Sequence, residues 1–141
     1  MVRVGVVGYG HLGQYLVENI LKHPELELAW VWNRTELRGR VKETYILSDL
    51  SDCGSGDPTV IVEVAHPDIT RQFGAKFLAV ADFMIGSPTA LADVELETAL
   101  AAAATKNGLY IPSGALWGGE DIRKMSERGT LKGLTGIKRN R

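Results

Sequence analysis

The stretch of sequence that decides the fold is VGVVGYGHLG, residues 4–13. A short β-branched run there leads into a Gly-x-Gly-x-x-Gly triplet, and an amphipathic helical pattern follows it directly. This order of strand, turn and helix is what a dinucleotide pyrophosphate site requires. Gly8 permits the tight turn, Gly10 lets backbone approach the pyrophosphate, and Gly13 lets the helix lie close to the sheet. The N-terminus of the helix, with free N–H groups and the positive end of its dipole, is predicted to bind the phosphates.

The bulk composition is that of one small globular domain with an ordinary hydrophobic core. The 141 residues are 45% hydrophobic and 23% charged, and the net charge of -1 gives no electrostatic case for a nucleic-acid or membrane partner. One cysteine, Cys53, excludes an internal disulfide, and the three histidines share no ligand spacing, so we expect no metal site. Without a membrane-length apolar run or a leader, the expected location is the cytoplasm.

Strand-like and helix-like segments alternate along the chain, which indicates βα units on a parallel sheet. The expected fold class is α/β, a Rossmann-type doubly wound parallel sheet of about six strands in a single domain. The first helix is expected to bury one face, made of Leu12, Leu16, Val17, Ile20 and Leu21. The predicted strands are 3–7, 28–32, 45–47, 59–64, 83–85 and 109–111, and the predicted helices are 12–21, one that starts at Pro67, 92–106 and 119–127.

The residues after the second predicted strand bear on the choice of cofactor. Where an Asp or Glu would bond both ribose hydroxyls of NAD, this chain has Asn33, Arg34 and Thr35. A carboxylate would repel a 2′-phosphate, whereas a neutral amide beside a guanidinium can accept one, so the sequence favours NADP or the use of both cofactors. In the alternative interpretation, Arg34 is a solvated loop residue and Asn33 bonds the ribose of NAD.

The segment after the fourth predicted strand is EVAHP, residues 63–67. Ala65 is small enough to let a nicotinamide or ribose pass over the end of the strand, and His66 lies beside that path. His66 either hydrogen-bonds the cofactor or caps the following helix, and the sequence leaves both open. Glu63 lies inside an apolar strand, so it needs a polar partner at the sheet or turns toward the cleft, and its role stays open too.

Two loops of small residues follow the fifth and sixth predicted strands, and both should lie at the edge of the sheet where ligands bind. Small side chains allow close backbone contact with a flat nicotinamide ring, although ordinary turns contain them too. We expect Ser87 in the first loop, and Ser113 and Gly114 in the second, to contact the cofactor. Ser113 is not expected to be a catalytic nucleophile, because no G-x-S-x-G elbow surrounds it.

Five segments together resemble a known protein family more specifically than any single glycine motif does. The family is that of L-aspartate dehydrogenase, in its animal branch, and the match covers essentially the whole chain in order and at the expected intervals. The segments are GYGHLG at 8–13, WNR at 32–34, EVAHP at 63–67, GSPTALAD at 86–93 and SGALWGGEDI at 113–122.

The resemblance implies a nicotinamide-nucleotide domain followed by a C-terminal α+β domain that binds the amino acid. Members of the family interconvert L-aspartate and iminoaspartate, so the complete enzyme would be an NAD(P)-dependent amino-acid dehydrogenase. The acid–base residues, notably a histidine, would belong to the second domain, so no catalytic residue is assigned to this chain. By the same resemblance, the residues that contact the cofactor include Ala115 and the glycine loop, namely Gly8, Tyr9, Gly10, His11, Leu12 and Gly13.

The resemblance also implies that the chain holds only part of the enzyme. We expect residues 1–133 to form the NAD(P)-binding domain, and residues 134–141 to begin the connection to a catalytic domain that is missing here. The chain alone should then bind NADP or NAD and have little or no aspartate dehydrogenase activity. Two alternatives remain open: a non-enzymatic NAD(P)H-binding regulatory module, which could be a homodimer, or the cofactor domain of a homoserine dehydrogenase-like or dihydrodipicolinate reductase-like enzyme.

Overall fold

A parallel β-sheet organises the protein, and the computed structural model describes residues 1–112 and 119–135. In that part of the chain the strands are β1 (Val2–Val7), β2 (Leu26–Trp32), β3 (Val60–Glu63), β4 (Asp82–Ile85) and β5 (Leu109–Tyr110). The helices are α1 (His11–Lys22), α2 (Pro67–Val80), α3 (Val94–Ala103) and α4 (Gly119–Glu127). The strand order across the sheet is β2-β1-β3-β4-β5 and each pair is parallel, so the expected doubly wound α/β fold is confirmed.

Strand β1 lies at the point where the strand order reverses, between β2 and β3. Its last residue, Val7, is in register with Trp32 of β2 and with Glu63 of β3. The loops after these three strands therefore leave the sheet at one edge. In open α/β sheets this edge is where ligands bind.

Two hydrophobic layers cover the two faces of the sheet, because successive strand residues point to opposite sides. Val6 of β1 belongs to the layer that contains Val17 of α1. Its neighbour Val7 belongs to the other layer, together with Phe77 of α2. Phe77 meets Phe83 of β4 edge to face, with ring centroids 5.1 Å apart. Fully burying one such side chain stabilises the fold by about 1.5–3 kcal/mol.

Local signals account for where the helices begin. Pro67 occupies the first turn of α2, where its missing N–H costs nothing. Asp93 caps α3 by accepting hydrogen bonds from the N–H groups of Glu95 and Leu96, at 3.1 and 3.2 Å. For this reason α3 begins at Val94 rather than at residue 92, while the last helix, 119–127, is confirmed. None of the helices in the described ranges has the length and apolar character of a membrane-spanning segment.

The predicted third strand, residues 45–47, is wrong, and the sheet has five strands rather than six within the described residues. The segment follows a 3₁₀ turn at Glu43–Tyr45 and pairs with β2 through a single bridge, between Ile46 and Val31. Leu47 donates its N–H to the carbonyl of Val31 at 2.9 Å, and its side chain is buried. These apolar residues therefore pack against the sheet, but their run is too short to form a ladder with it.

The buried face of α1 also differs from the predicted one. Leu12 and Leu21 are each 54% exposed, whereas Val17 is buried. A Cβ on Gly13 would collide with the carbonyl oxygen of Gly8, so the backbone of the helix lies directly against the turn. This close approach sets the rotation of α1 about its axis, and the flanking leucines face solvent as a result.

Candidate cofactor site

The glycine turn after β1 has the conformation that the sequence predicts. Gly8 has a φ angle of +106°, which residues with side chains rarely adopt, and its N–H donates to the carbonyl of Trp32 at 2.7 Å. A Cβ on Gly8 would lie 2.9 Å from the backbone nitrogen of Ala65, closer than real contacts allow. The turn therefore brings the loops after β1, β2 and β3 into direct contact.

The N-terminus of α1 is open at Gly10. This residue is the N-cap of the helix, and no side chain in the described residues caps it. A Cβ on Gly10 would find no described atom within 4 Å, so it would project into open space. The first turn of α1 contains no acidic residue. Its free N–H groups and the positive end of the helix dipole thus face this space without competition from a carboxylate of that turn.

A cleft of about 290 Å³ opens at the edge of the sheet where the strand order reverses, and we call it the switch-point cleft. Its walls come from the loops after β1, β2 and β3, which are far apart in the chain. The cleft brings together seven of the residues predicted to contact the cofactor: Gly8, Tyr9, Gly10, Asn33, Arg34, Ala65 and His66. The other residues that line it are Trp32, Thr35, Val64 and Ile69.

A second cavity, of about 410 Å³, continues from the cleft along the loop after β2, and we call it the outer cavity. The two share Asn33, Arg34 and Thr35, so they are adjacent, and we call the pair the groove. The remaining walls of the outer cavity are both apolar and charged: Glu36, Leu37, Arg38, Glu43, Ile46, Leu47 and Ser48. Such a mixture can hold a flat apolar ring and orient polar groups attached to it.

The side chain of Asn33 links the glycine turn to the end of β2 by a hydrogen bond. Its Oδ1 accepts a hydrogen bond from the N–H of Tyr9 at 3.0 Å, and its Nδ2 donates to Oγ1 of Thr35 at 2.7 Å. The ring of Tyr9 is held in turn by Arg40, whose guanidinium carbon lies 5.2 Å from the ring centroid. The amide of Asn33 is thus engaged within the protein, whereas Arg34 beside it is exposed.

His66 caps α2, which confirms one of the two roles that the sequence left open. Its Nδ1 accepts a hydrogen bond from the N–H of Asp68 at 3.2 Å. In this arrangement the proton of a neutral ring is on Nε2, so an N–H donor remains on an exposed side chain at the cleft. Contact between His66 and a cofactor stays a prediction.

Glu63, whose role the sequence left open, is a fully buried carboxylate that joins two loops of the site. Its Oε1 accepts hydrogen bonds from the N–H groups of Ala65 and His66, at 2.7 and 2.8 Å. From the loop after β4, Ser87 donates its N–H to Oε2 at 3.2 Å and its hydroxyl to Oε1 at 3.1 Å. The hydroxyl of Thr70 in α2 donates to Oε2 at 3.3 Å. The only sequence signal for this network is an acidic residue at the end of an apolar strand.

The remaining predicted residues lie away from the two cavities or outside the described part of the chain. His11 and Leu12 are exposed on the first turn of α1, and Ser87 lies against Glu63 behind the wall of the cleft. No group of three His, Cys, Asp or Glu side chains in residues 1–112 and 119–135 is arranged to hold a metal ion. The predicted contacts that fall outside the described residues are Ser113, Gly114 and Ala115.

Comparison with known proteins points to the same kind of site. The sequence model of a family described as "Homoserine dehydrogenase, NAD binding domain" matches residues 8–112. The aspartate dehydrogenase domain-containing protein of Xenopus tropicalis is 56% identical in a match that covers 94% of this chain and 49% of that protein. The protein of the same name in Danio rerio is 52% identical in a match that covers 95% of this chain and 51% of that protein. The chain thus spans about half the length of the curated relatives it matches.

Solved structures share the fold. The aspartate dehydrogenase from Thermotoga maritima superimposes with a TM-score of 0.67 at 20% identity, over 90% of this chain and 52% of that one. At this identity the likeness bears on the fold alone. Because the family match spans residues 8–112, the chain belongs to the family of homoserine dehydrogenase NAD-binding domains, and it is an NAD-binding domain that resembles those of aspartate dehydrogenases.

Proposed function

We propose that this chain is the cofactor-binding part of an NAD(P)-dependent dehydrogenase that acts on aspartate. The observation that carries the proposal is the switch-point cleft, in which the open N-terminus of α1 at Gly10 meets the loops after β2 and β3. The pyrophosphate of a dinucleotide fits this site, because helix N–H groups bind phosphates and the outer cavity lies next to the cleft. The names of the two relatives that are 52% and 56% identical support aspartate as the substrate.

The groove offers a place for each part of a dinucleotide. The pyrophosphate would lie over Gly10 and the first turn of α1, where no Cβ intervenes. The adenosine would extend past Asn33 into the outer cavity, against the apolar side chain of Leu37. The nicotinamide would lie at the other end of the cleft, where Ala65 leaves room above the end of β3. We propose that the loop at residues 113–115 completes this end.

The residues after β2 support NADP, or both cofactors, rather than NAD alone. The exposed guanidinium of Arg34 lines both cavities and can pair with a 2′-phosphate. The amide oxygen of Asn33 is engaged by Tyr9, so the attraction for the phosphate would come from Arg34. Glu36 also lines the outer cavity, and its Oε1 accepts hydrogen bonds from the N–H groups of Leu37 and Arg38. A carboxylate in this place can also accept hydrogen bonds from the ribose hydroxyls of NAD, so NAD would be a usable ligand as well.

The chemistry and the substrate would be divided between this domain and another. A bound nicotinamide supplies hydride transfer to or from the α-carbon of the amino acid. Residues 1–133 would bind and orient the dinucleotide, and residues 134–141 would begin the connection to the domain that binds aspartate. Since the chain spans about half the length of its relatives, we expect it alone to bind cofactor with little or no aspartate-dependent turnover.

A fluorescence titration with NADH and NADPH tests the proposal. Trp32 lines the cleft, so its emission should change on binding, whereas Trp30 is 3% exposed within the core. We expect saturable changes with dissociation constants between about 1 μM and 1 mM, the usual range for enzyme ligands. A Trp32→Phe variant serves as the control: it should lose the part of the signal that comes from Trp32 and still bind cofactor by calorimetry.

Two outcomes would contradict the proposal. Equally weak, non-saturating responses to both cofactors would exclude a dinucleotide site. Measurable aspartate-dependent reduction of NAD or NADP by the 141-residue chain would contradict the division between two domains.

A further inference from the structure

Glu63 carries a buried charge that no cation in the described residues neutralises. Its side chain is 0% exposed, and none of the ion pairs in that part of the chain includes it. Three of its five hydrogen-bond donors are backbone N–H groups, from Ala65, His66 and Ser87. Such groups donate only, so the network suits an acceptor-only carboxylate. Dipoles of this kind stabilise the charge without cancelling it.

The charge lies behind one end of the switch-point cleft. Ala65 and His66 line the cleft, and their N–H groups donate to Oε1 of Glu63, at 2.7 and 2.8 Å. The carboxylate is therefore hydrogen-bonded directly to the backbone of two residues that line the cleft, although Glu63 itself is not among the lining residues. The opposite end of the cleft is at Asn33 and Arg34, the position after the second strand that faces the ribose of the adenosine in folds of this kind. Glu63 thus sits at the end assigned above to the nicotinamide.

We propose that Glu63 gives this site a preference for the oxidised, cationic form of the nicotinamide ring over the reduced, neutral form. The inference rests on the proposed function, because it needs a dinucleotide in the cleft. A charge buried in protein is screened much less by water and salt than an exposed one, so it acts on a ligand across a thin wall. The reduced ring has no charge for the carboxylate to attract.

Other charges near this wall are smaller or more strongly screened. The N-terminus of α2 begins next to the carboxylate, but its dipole corresponds to roughly half a positive charge, less than the full negative charge of Glu63. Asp68 and Arg71 pair with each other at 2.7 Å on the exposed surface and offset one another. His66 is exposed, so water and salt screen it more strongly than a buried group. Glu63 is the one charged side chain among the buried residues of the described part of the chain, so we expect a negative electrostatic potential at the cleft wall.

The test compares the affinities for NAD⁺ and NADH in the wild-type chain and in two variants. Glu63→Gln removes the charge and keeps the length of the side chain, whereas Glu63→Asp keeps the charge and shortens it. Both variants disturb the hydrogen bonds that residue 63 accepts from Ala65, His66, Thr70 and Ser87, and so lower both affinities. The part of this loss that is common to the two ligands cancels in the ratio Kd(NADH)/Kd(NAD⁺). We expect a wild-type ratio above one, a fall of about threefold to tenfold in Glu63→Gln, and a change of less than about twofold in Glu63→Asp.

Two results would overturn the proposal while the proposed function stands. Either Glu63→Gln weakens NAD⁺ and NADH equally, or Glu63→Asp changes the ratio as much as Glu63→Gln does. If Glu63→Gln does not fold, the wild-type chain still decides, because tighter binding of NADH than of NAD⁺ would overturn the proposal. If the wild-type chain binds neither NAD⁺ nor NADH, the proposed function itself is contradicted.

Discussion

The side-chain oxygen of Asn33 accepts a 3.0 Å hydrogen bond from the backbone N–H of Tyr9. This bond joins the middle of the glycine turn to the end of β2, across a separation of 24 residues in the chain. A residue that the sequence indicates as a contact for the cofactor's ribose therefore also shapes the turn that would hold the pyrophosphate. Substitutions of Asn33 therefore have to distinguish its proposed contact with the ribose from its hydrogen bond to the glycine turn.

Asn33→Asp keeps an oxygen for the N–H of Tyr9 and adds a negative charge beside Arg34. We expect NADPH binding to weaken about tenfold more than NADH binding, because the carboxylate repels the 2′-phosphate and competes for the guanidinium. Fluorescence titrations give the two dissociation constants, and Thr35→Val is the uncharged control for the lost bond from Nδ2. An equal loss for both cofactors would mean that Asn33 does not lie near the 2′-position.

Arg34→Gln tests the group proposed to pair with the 2′-phosphate. We expect affinity for NADPH to fall about tenfold and affinity for NADH to fall much less, since NADH has no phosphate there. Because Arg34 is exposed, the free energy of unfolding should change by less than about 0.5 kcal/mol. The matched control is Lys22→Gln, an exposed cation at the other end of α1. Parallel losses for NADH and NADPH would rule out phosphate recognition by Arg34.

Gly10→Ala places a methyl group in the open space where the pyrophosphate is proposed to lie. Both NADH and NADPH should bind at least about tenfold more weakly, a loss of about 1.4 kcal/mol. The fold should tolerate the change, because the φ angle of Gly10 is -72° and its Cβ would meet no described atom. Gly133→Ala is the control, since its Cβ also meets open space. Unchanged affinities, measured by calorimetry, would exclude Gly10 from the site.

Gly8→Ala should destabilise the protein more than Gly39→Ala does, because only a side chain at Gly8 would collide with the loop of Ala65. Both glycines have positive φ angles, +106° and +75°, so backbone strain destabilises both variants. Only at Gly8 would the new Cβ collide with another loop, at Ala65. We expect this collision to lower the free energy of unfolding by a further ~1–3 kcal/mol. Urea unfolding measures both free energies. Equal losses would mean that the loop of Ala65 moves aside freely.

Much of the fold could be predicted from the sequence, because its signals lie close together in the chain. The β-branched run before Gly8 predicts β1, Pro67 predicts the start of α2, and the helical pattern at 119–127 predicts α4. The glycine turn at residues 8–13, on which part of the candidate site is built, could also be predicted from neighbouring residues. Each of these features is set by the backbone preferences of a few neighbouring residues.

The predictions failed where backbone packing outweighs the local pattern of hydrophobicity. Residues 45–47 have the composition of a strand, yet only Ile46 forms a bridge to the sheet. Leu12 and Leu21 fit an apolar helix face, but the approach of Gly13 to Gly8 turns them toward solvent. Hydrophobicity does not encode how a helix is rotated by a backbone contact of this kind.

By itself, the sequence determined the alternation of strands and helices, and with it the parallel sheet and the turn at which a dinucleotide is expected to bind. Only the tertiary structure decided which side chains meet at that edge. The bonds from Ser87 to Glu63 and from Tyr9 to Asn33 each join residues 24 positions apart. A hydrogen bond between distant segments depends on how the loops come together, and it leaves no periodicity or spacing in the sequence from which it could be predicted.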